Sequence, residues 1–386
     1  MTDLPIKHVA ITVVRVPSRL ADTEIASPMD AFPEHRRRRA SWYGSMESVV
    51  LEITAEDITG VAVTQGGHAV AAILARHLGP GLIGKNADDI EDLWEFCRRA
   101  TLPYGTDGLA SMARSAIDLA LWDLRGRAHS LPIYALLGAR PRDLTVYASG
   151  NDVEDHRRLG FTASKWGIDI GPWSQDSVHE GGAQLRLARQ RTGNDRDLMV
   201  DAWMGWTRDF ALEMAPLLEE LRVEWLEEPL PPDAPTRDLE AIACALGRTR
   251  LATGEHAYSL REFRRLVDSG VTVLQPDLAW CGGLTAGLRI AELASSSGVE
   301  LAPHLGGAPW GLHLATASRA AERAEWYVGS APGTGLDTEP SVLQHRQFPT
   351  NGLIKANDGS GFGVDIDATA LASYRADPTV HVAADS

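Results

Sequence analysis

Four carboxylates punctuate the middle of the chain, each at the end of a short apolar run. D-L-M-V-D closes on Asp201, V-E-W-L-E on Glu227, R-L-A-T-G-E on Glu255 and T-V-L-Q-P-D on Asp277. Helix-like sequence separates each run from the next, so the acids fall where successive strands of a β/α repeat should finish. In a closed barrel of such units, those ends converge on one point. Asp201, Glu227 and Glu255 gathered there need a cation. Oxygen-only donors favour a hard divalent ion, Mg2+ ahead of Zn2+, with coordination positions left for substrate oxygens. The competing reading is that an acidic strand end merely caps the helix that follows it.

The neighbouring strand ends carry the other half of an acid–base apparatus. Asp277 and His304 close consecutive strand candidates, so the carboxylate can orient the imidazole and raise its basicity, as a general base requires. Lys165 in T-A-S-K-W-G ends an earlier one. There it is either a snorkelling surface lysine or a cation that stabilises developing negative charge. Glu325 in A-E-W-Y-V-G stands at the eighth position, as a surface acid or as a partner for a substrate oxygen. His256 follows Glu255 and projects either near the metal or behind it. Glu228 should face away from Glu227 by strand alternation and is read as structural. Trp166, Trp203, Trp280 and Trp310 fall beside these ends, where they either wall a pocket or pack the core.

These positions presuppose a scaffold of eight units. Strand candidates end near Ser149, Lys165, Asp201, Glu227, Glu255, Asp277, His304 and Glu325, with amphipathic runs such as Phe210, Met214, Leu217 and Leu221 between them. A doubly wound open sheet would give a similar string, but no G-x-G-x-x-G follows a first strand. The sequence therefore predicts an α/β chain with a (β/α)8-type barrel at 141–340. An α+β capping domain is expected at 1–140, and a C-terminal segment, 341–386, returning to it. In the capping part, His8 to Val16 and Ser48 to Thr54 have strand composition, with a turn at Asp57 to Gly60. Helices are expected over His68 to His77, over Ala87 to Arg98, and from Met112 to near Gly126. The stretch between the two strands, with its run Arg36 to Arg39, reads as a loop, solvated or closing over an anionic ligand.

Composition narrows the partners. A net charge of −15 over 386 residues argues against a nucleic-acid surface. No apolar run approaches the roughly 18 residues of a membrane span, and the N-terminus lacks a signal-peptide core. A soluble cytoplasmic protein is the expectation. Cys97, Cys244 and Cys281 are few and far apart, which suits reduced thiols rather than a disulfide frame or a zinc site.

The residues together resemble the enolase superfamily in its mandelate racemase-like branch. The likeness runs through A-I-D-L-A-L-W-D-L-R-G, P-I-Y-A-L-L-G, W-L-E-E-P, T-G-E-H, Q-P-D-L-A-W-C-G-G-L-T and P-T-N-G-L-I. It implies a Mg2+ bound by Asp201, Glu227 and Glu255. That ion would hold a substrate carboxylate while a base removes the α-proton, giving an enediolate. Within the branch, S-P-M-D before R-R-A-S-W, R-A-T-L-P-Y-G and E-E-P-L-P-P-D make the chain most similar to the L-rhamnonate dehydratases. That similarity implies His304 with Asp277 as base, Arg39 as a reader of the acid sugar and Glu325 in contact with it. His256 and Trp166 are further candidates for the substrate pocket. Two departures stand out. The branch's Lys-x-Lys here reads Lys165-Trp166-Gly167, which leaves one obvious base and favours elimination over racemisation. A histidine that those enzymes carry ahead of S-P-M is replaced here by Glu24, which alters the hydroxyls that can be satisfied. The expected activity is dehydration of an aldonic acid, and the likeness implies a homo-oligomer, with an octamer as the candidate number. The rivals are a racemase or epimerase of a hydroxy acid and a non-catalytic metal-binding relative.

Overall fold

The computed structural model describes residues 4–18, 24–36 and 47–384. Three strands, β1 (Ile6–Val14), β2 (Ser48–Ala55) and β3 (Ile58–Gln65), form an antiparallel meander. β3 was not foreseen, because Gly60 reads as part of a turn. The turn is confined to Glu56 and Asp57, and Gly60 lies inside the strand. A Cβ on Gly60 would stand 2.0 Å from the Ala120 carbonyl oxygen and 2.6 Å from the Leu124 nitrogen. The glycine serves close packing of β3 on the helix Leu109–Ala128, not chain reversal. That helix runs through Gly126, where the chain was expected to stop. A Cβ on Gly126 would meet the Gly361 Cα at 2.5 Å. The helix expected over His68 to His77 is Gly67–Ile73 continued by a wider π-type turn, Leu74–Leu78.

Eight parallel strands follow: β4 (Asp143–Ser149), β5 (Ala163–Gly167), β6 (Asp197–Asp201), β7 (Trp225–Glu227), β8 (Arg250–Thr253), β9 (Val273–Leu274), β10 (Glu300–Leu301) and β11 (Arg323–Tyr327). They pair in the order β10-β9-β8-β7-β6-β5-β4-β11, and helices separate most of them. The two ends of this sheet meet. Leu301 N–H donates to the Ala320 carbonyl at 2.9 Å, Gly307 N–H donates to the Glu325 carbonyl at 2.7 Å, and Arg323 pairs with Glu300 at 3.0 Å. The fold is therefore an α/β barrel with a capping domain.

Alternation along each strand sorts the side chains. Tyr147, Ala163, Met199, Trp225, Ala252, Val273 and Ala302 point inward and form a dry layer, the plug of a barrel rather than a pore. The next inward positions above it are Lys165, Asp201, Glu227 and the residues that follow β8 to β10. The C-terminal stretch reaches both bodies. β12 (Leu343–Gln344) pairs with β14 (Asp365–Ile366), β13 (Leu353–Lys355) lies antiparallel on β4, and β15 (Val380–Ala383) adds to the edge of the meander beside β1.

Because Gly60 is packed against backbone, Gly60→Ala should lower stability by about 1–3 kcal/mol or more. Urea unfolding followed by far-UV circular dichroism reads the shift in midpoint.

Candidate active site

The barrel mouth encloses a cavity lined by Ser149, Lys165, Asp201, Glu255, His304 and Glu325, among others. Lys165 is 4% exposed, too buried for the snorkelling alternative. Its ammonium bonds Glu227, lies 2.7 Å from Glu325 Oε1 and 3.6 Å from Asp201 Oδ2. Burial opposes its charge, but Glu227, Glu325 and Asp201 outweigh burial and hold its pKa well above the usual lysine value. It is a captive cation.

The acids divide around it. Burial pushes Glu227 up to about 8 and Asp201 up to about 6, against the pull of Lys165. Glu227 also accepts from Gln275 Nε2 at 2.6 Å and Trp225 Nε1 at 3.0 Å. Asp201 accepts from the Trp203 N–H at 2.8 Å. Glu325 goes the other way despite burial. Lys165 and His304 pull it down to about 2, and it accepts from Ser149 Oγ at 2.5 Å and the Leu305 N–H at 2.8 Å. It is an ionised acceptor, not a surface glutamate.

His304 Nδ1 lies 2.8 Å from Asp277 Oδ2, and its Nε2 is 3.6 Å from Glu255 Oε2. The carboxylate fixes the proton on Nδ1 and leaves Nε2 for the cavity. Burial works against the imidazolium, but Glu255, Asp277 and Glu325 push His304 up to about 10. Glu255 is correspondingly lowered, with His304 and His256 outweighing its burial. Trp280 stands between the two imidazoles, 5.5 Å from His256 and 5.4 Å from His304 by ring centroids.

Several sequence expectations require correction. Glu228 does not turn away. Its φ of 40° breaks the strand alternation and brings its carboxylate to His256 Nδ1, 3.0 Å from both oxygens. Trp166 does not line the cavity, because it is the outward residue of β5 and packs in the main core with the Arg191 guanidinium 6.0 Å from its ring. Trp310 packs edge-on against Phe362 at 4.8 Å, while Trp203 and Trp280 do line the cavity. Glu24 is exposed. Its neighbour Ile25 is the inward residue, buried against Trp203 and Met204. Arg39 lies outside the described residues, as does most of the arginine run. The sequence reading missed Ser149 and Gln275 as parts of the site. Gln275 was findable, since it stands two residues before Asp277 on the same face. Trp203, Met204, Glu228 and Leu305 all have positive φ, and such strain gathers at functional mouths.

Two family models match the chain: Mandelate racemase / muconate lactonizing enzyme, N-terminal domain, over residues 39–138, and Enolase C-terminal domain-like over 150–370. The chain belongs to the enolase superfamily. Within the superfamily it is 34% identical to L-rhamnonate dehydratase of Saccharopolyspora erythraea, over 90% of each chain. The crystal structure of rhamnonate dehydratase from Gibberella zeae complexed with Mg superposes with a TM-score of 0.91 at 29% identity, covering 97% of both chains. A racemase from Streptomyces coelicolor with bound magnesium is also similar, with a TM-score of 0.80 at 27% identity, covering 96% of this chain and 99% of that one.

Two donor sets are candidates for a metal, and they share Glu255. Among the described residues, Glu228, Glu255 and His256 place one ligand atom each within 4.8 Å of one another. Asp201, Glu227 and Glu255 offer oxygen alone, and burial with mutual repulsion raises the first two. Glu227 spends both oxygens on Lys165, Gln275 and Trp225, so the second set is preferred on donor chemistry alone, oxygen-only ligands being those a hard dication takes.

Lys165→Met would leave Glu227, Glu325 and Asp201 without their cation. The loss expected in metal-free urea unfolding is about 3–5 kcal/mol. The deficit should shrink from pH 8 to pH 5, because protons then replace the missing charge.

Proposed function

We propose that this protein is a Mg2+-dependent dehydratase of acid sugars. It would convert an aldonic acid of the L-rhamnonate type to its 2-keto-3-deoxy product. One observation carries the choice of elimination over racemisation. The base dyad Asp277–His304 faces a lysine that three carboxylates keep charged. Residue 167, where the branch has a second lysine, is glycine. A racemase needs a base on each face of the α-carbon. His256 has its Nδ1 tied to Glu228 and is not read as that second base.

In this reading His304 Nε2 takes the proton from C2, with Asp277 holding the ring. The C3 hydroxyl leaves as water with a proton from His304, if it departs on that face, or else from His256 or a water. The resulting enol takes a proton at C3 as its oxygen loses one, giving the keto acid. Lys165 sets positive charge against the acid group, and Glu325 anchors Lys165 while accepting from a substrate hydroxyl. Asp201, Glu227 and Glu255 would hold the Mg2+, whose chemistry when bound is to stabilise charge on the substrate's carboxylate. Arg39 is proposed to bind the acid sugar from the capping side. The reading extends to domain limits of 1–140, 141–340 and 341–386, a homo-oligomer of eight subunits by family likeness, and the cytoplasm. No described helix is long and apolar enough to cross a membrane.

The deciding experiment is a screen of aldonic and aldaric acids with Mg2+, detecting the 2-keto product, alongside His304→Asn. One acid should give product, and His304→Asn should lower kcat by about 100-fold or more. Exchange of the C2 proton in deuterated water without elimination would instead support a racemase. Neither product nor exchange would support the non-catalytic reading.

Metal binding gives a second test. Glu227 at about 8, Asp201 at about 6 and His304 at about 10 hold protons in the metal-free protein. Binding of a dication favours the deprotonated carboxylates and disfavours the imidazolium. Mg2+ affinity should therefore rise between pH 6 and pH 9 with net proton release, read by calorimetry in buffers of different ionisation enthalpy. Uptake of protons, or pH-independent affinity, would count against this ligand set.

A further inference from the structure

The loop that carries Asp277 is held from outside the barrel. Asp277 uses one oxygen on His304 and the other, Oδ1, on the Ala279 N–H at 2.7 Å. The Ala279 carbonyl accepts from Thr64 Oγ1 at 2.7 Å, and Thr64 belongs to β3 of the capping sheet. Hydrogen bonds on either side of Ala279 thus link the capping domain, through that residue's backbone, to the base. Farther along the loop, Gly282 accepts from Trp94 Nε1 at 2.7 Å and donates to Ser115 Oγ at 2.8 Å.

The helix that leaves this loop, Gly283–Ser297, lacks a side-chain cap of its own, since Gly282 occupies the cap position. Asp118 of the capping helix supplies it, accepting from the Thr285 N–H at 2.9 Å. A Cβ on Gly283 would stand 2.3 Å from Asp118 Oδ2, so the glycine makes room for a cap from another domain. Asp118 is 1% exposed and Thr64 likewise. Burying a carboxylate is costly, and burial indeed raises Asp118 to about 7. Gly282 has φ 109°, a conformation closed to a serine or aspartate, so the helix takes its cap from Asp118 across the domain contact.

We infer that Thr64 and Asp118 are positioning residues for the Asp277–His304 base, so that the capping domain sets the orientation of a base built on the barrel. The inference rests on the reading of His304 as base. Its physical content is that the segment from Asp277 to Thr285 takes its anchorage from the capping domain. A displaced Asp277 misdirects His304 Nε2, which slows proton transfer without weakening ground-state binding.

The test compares Thr64→Val, Asp118→Asn and Asp118→Ala with the unaltered protein. Thr64→Val removes one hydrogen bond at nearly constant volume and serves if the Asp118 variants fail to fold. For Thr64→Val and Asp118→Ala, kcat should fall by about 10- to 100-fold, with KM and the Mg2+ Kd within about twofold. The isotope effect with C2-deuterated substrate should rise. Asp118→Asn keeps an acceptor for Thr285 and should recover most of the rate. Independently of turnover, amide hydrogen exchange in 277–285 and 302–306 should accelerate in Thr64→Val and Asp118→Ala. Unchanged kcat, an unchanged isotope effect, or exchange altered only within 109–128 overturns the inference. If the unaltered protein turns over no acid, the reading of His304 as base fails, and exchange still decides whether the clamp reaches its loop.

Discussion

Charge balance at the barrel mouth governs the arrangement of everything around it. Asp201, Glu227, Glu228, Glu255, Asp277 and Glu325 gather there, and the described cations among them are Lys165, His256 and His304. Two like charges about 4 Å apart cost on the order of 4 kcal/mol at an effective dielectric of 20. Such a set stays together only if each acid has a donor or sheds its charge. Both solutions appear. Glu325 is ionised beside Lys165, Ser149 and a backbone N–H, whereas Glu227 and Asp201 drift towards the protonated form. Burial is the main cause of that drift, with Lys165 already against both acids, and the proposal of a cation beside them rests on the chemistry of an oxygen-only donor set.

That balance depends on rigid support beneath. The mouth residues sit one inward step above the layer of Tyr147, Met199, Trp225 and their neighbours. Below that layer, the guanidiniums of Arg250 and Arg323 stack over Trp225, at 5.6 and 5.4 Å, and pair with Glu224 and Glu300. The lower end of the barrel thus spends its charges on closure and the upper end on chemistry, the usual division in this fold. The capping meander completes the upper end by gripping the loop after β9.

Much of this was legible beforehand because of two periodicities. Strand alternation and the β/α repeat put Lys165, Asp201, Glu227, Glu255, Asp277, His304 and Glu325 at one end of one ring, and the structure brings them there. Errors arose where local backbone broke the alternation or where a residue type had two uses. Glu228 was assigned to the opposite face, and its positive φ turned it back to His256. Trp166 was assigned to the pocket, although alternation next to an inward Lys165 already placed it outside. Gly60 and Gly126 read as punctuation, and both are close contacts inside regular elements.

The sequence by itself determined the barrel class, the superfamily, the inward carboxylates and the Asp277–His304 pair, because each follows from short-range period or from local motifs. Only the tertiary structure decided that Lys165 is held by three acids, that Ser149 and Gln275 serve Glu325 and Glu227, and that Thr64 and Asp118 reach the loop of the base. Those contacts join residues 36 to 215 positions apart. Their partners are chosen by how two domains and eight strands close in space, and no spacing along the chain records that closure.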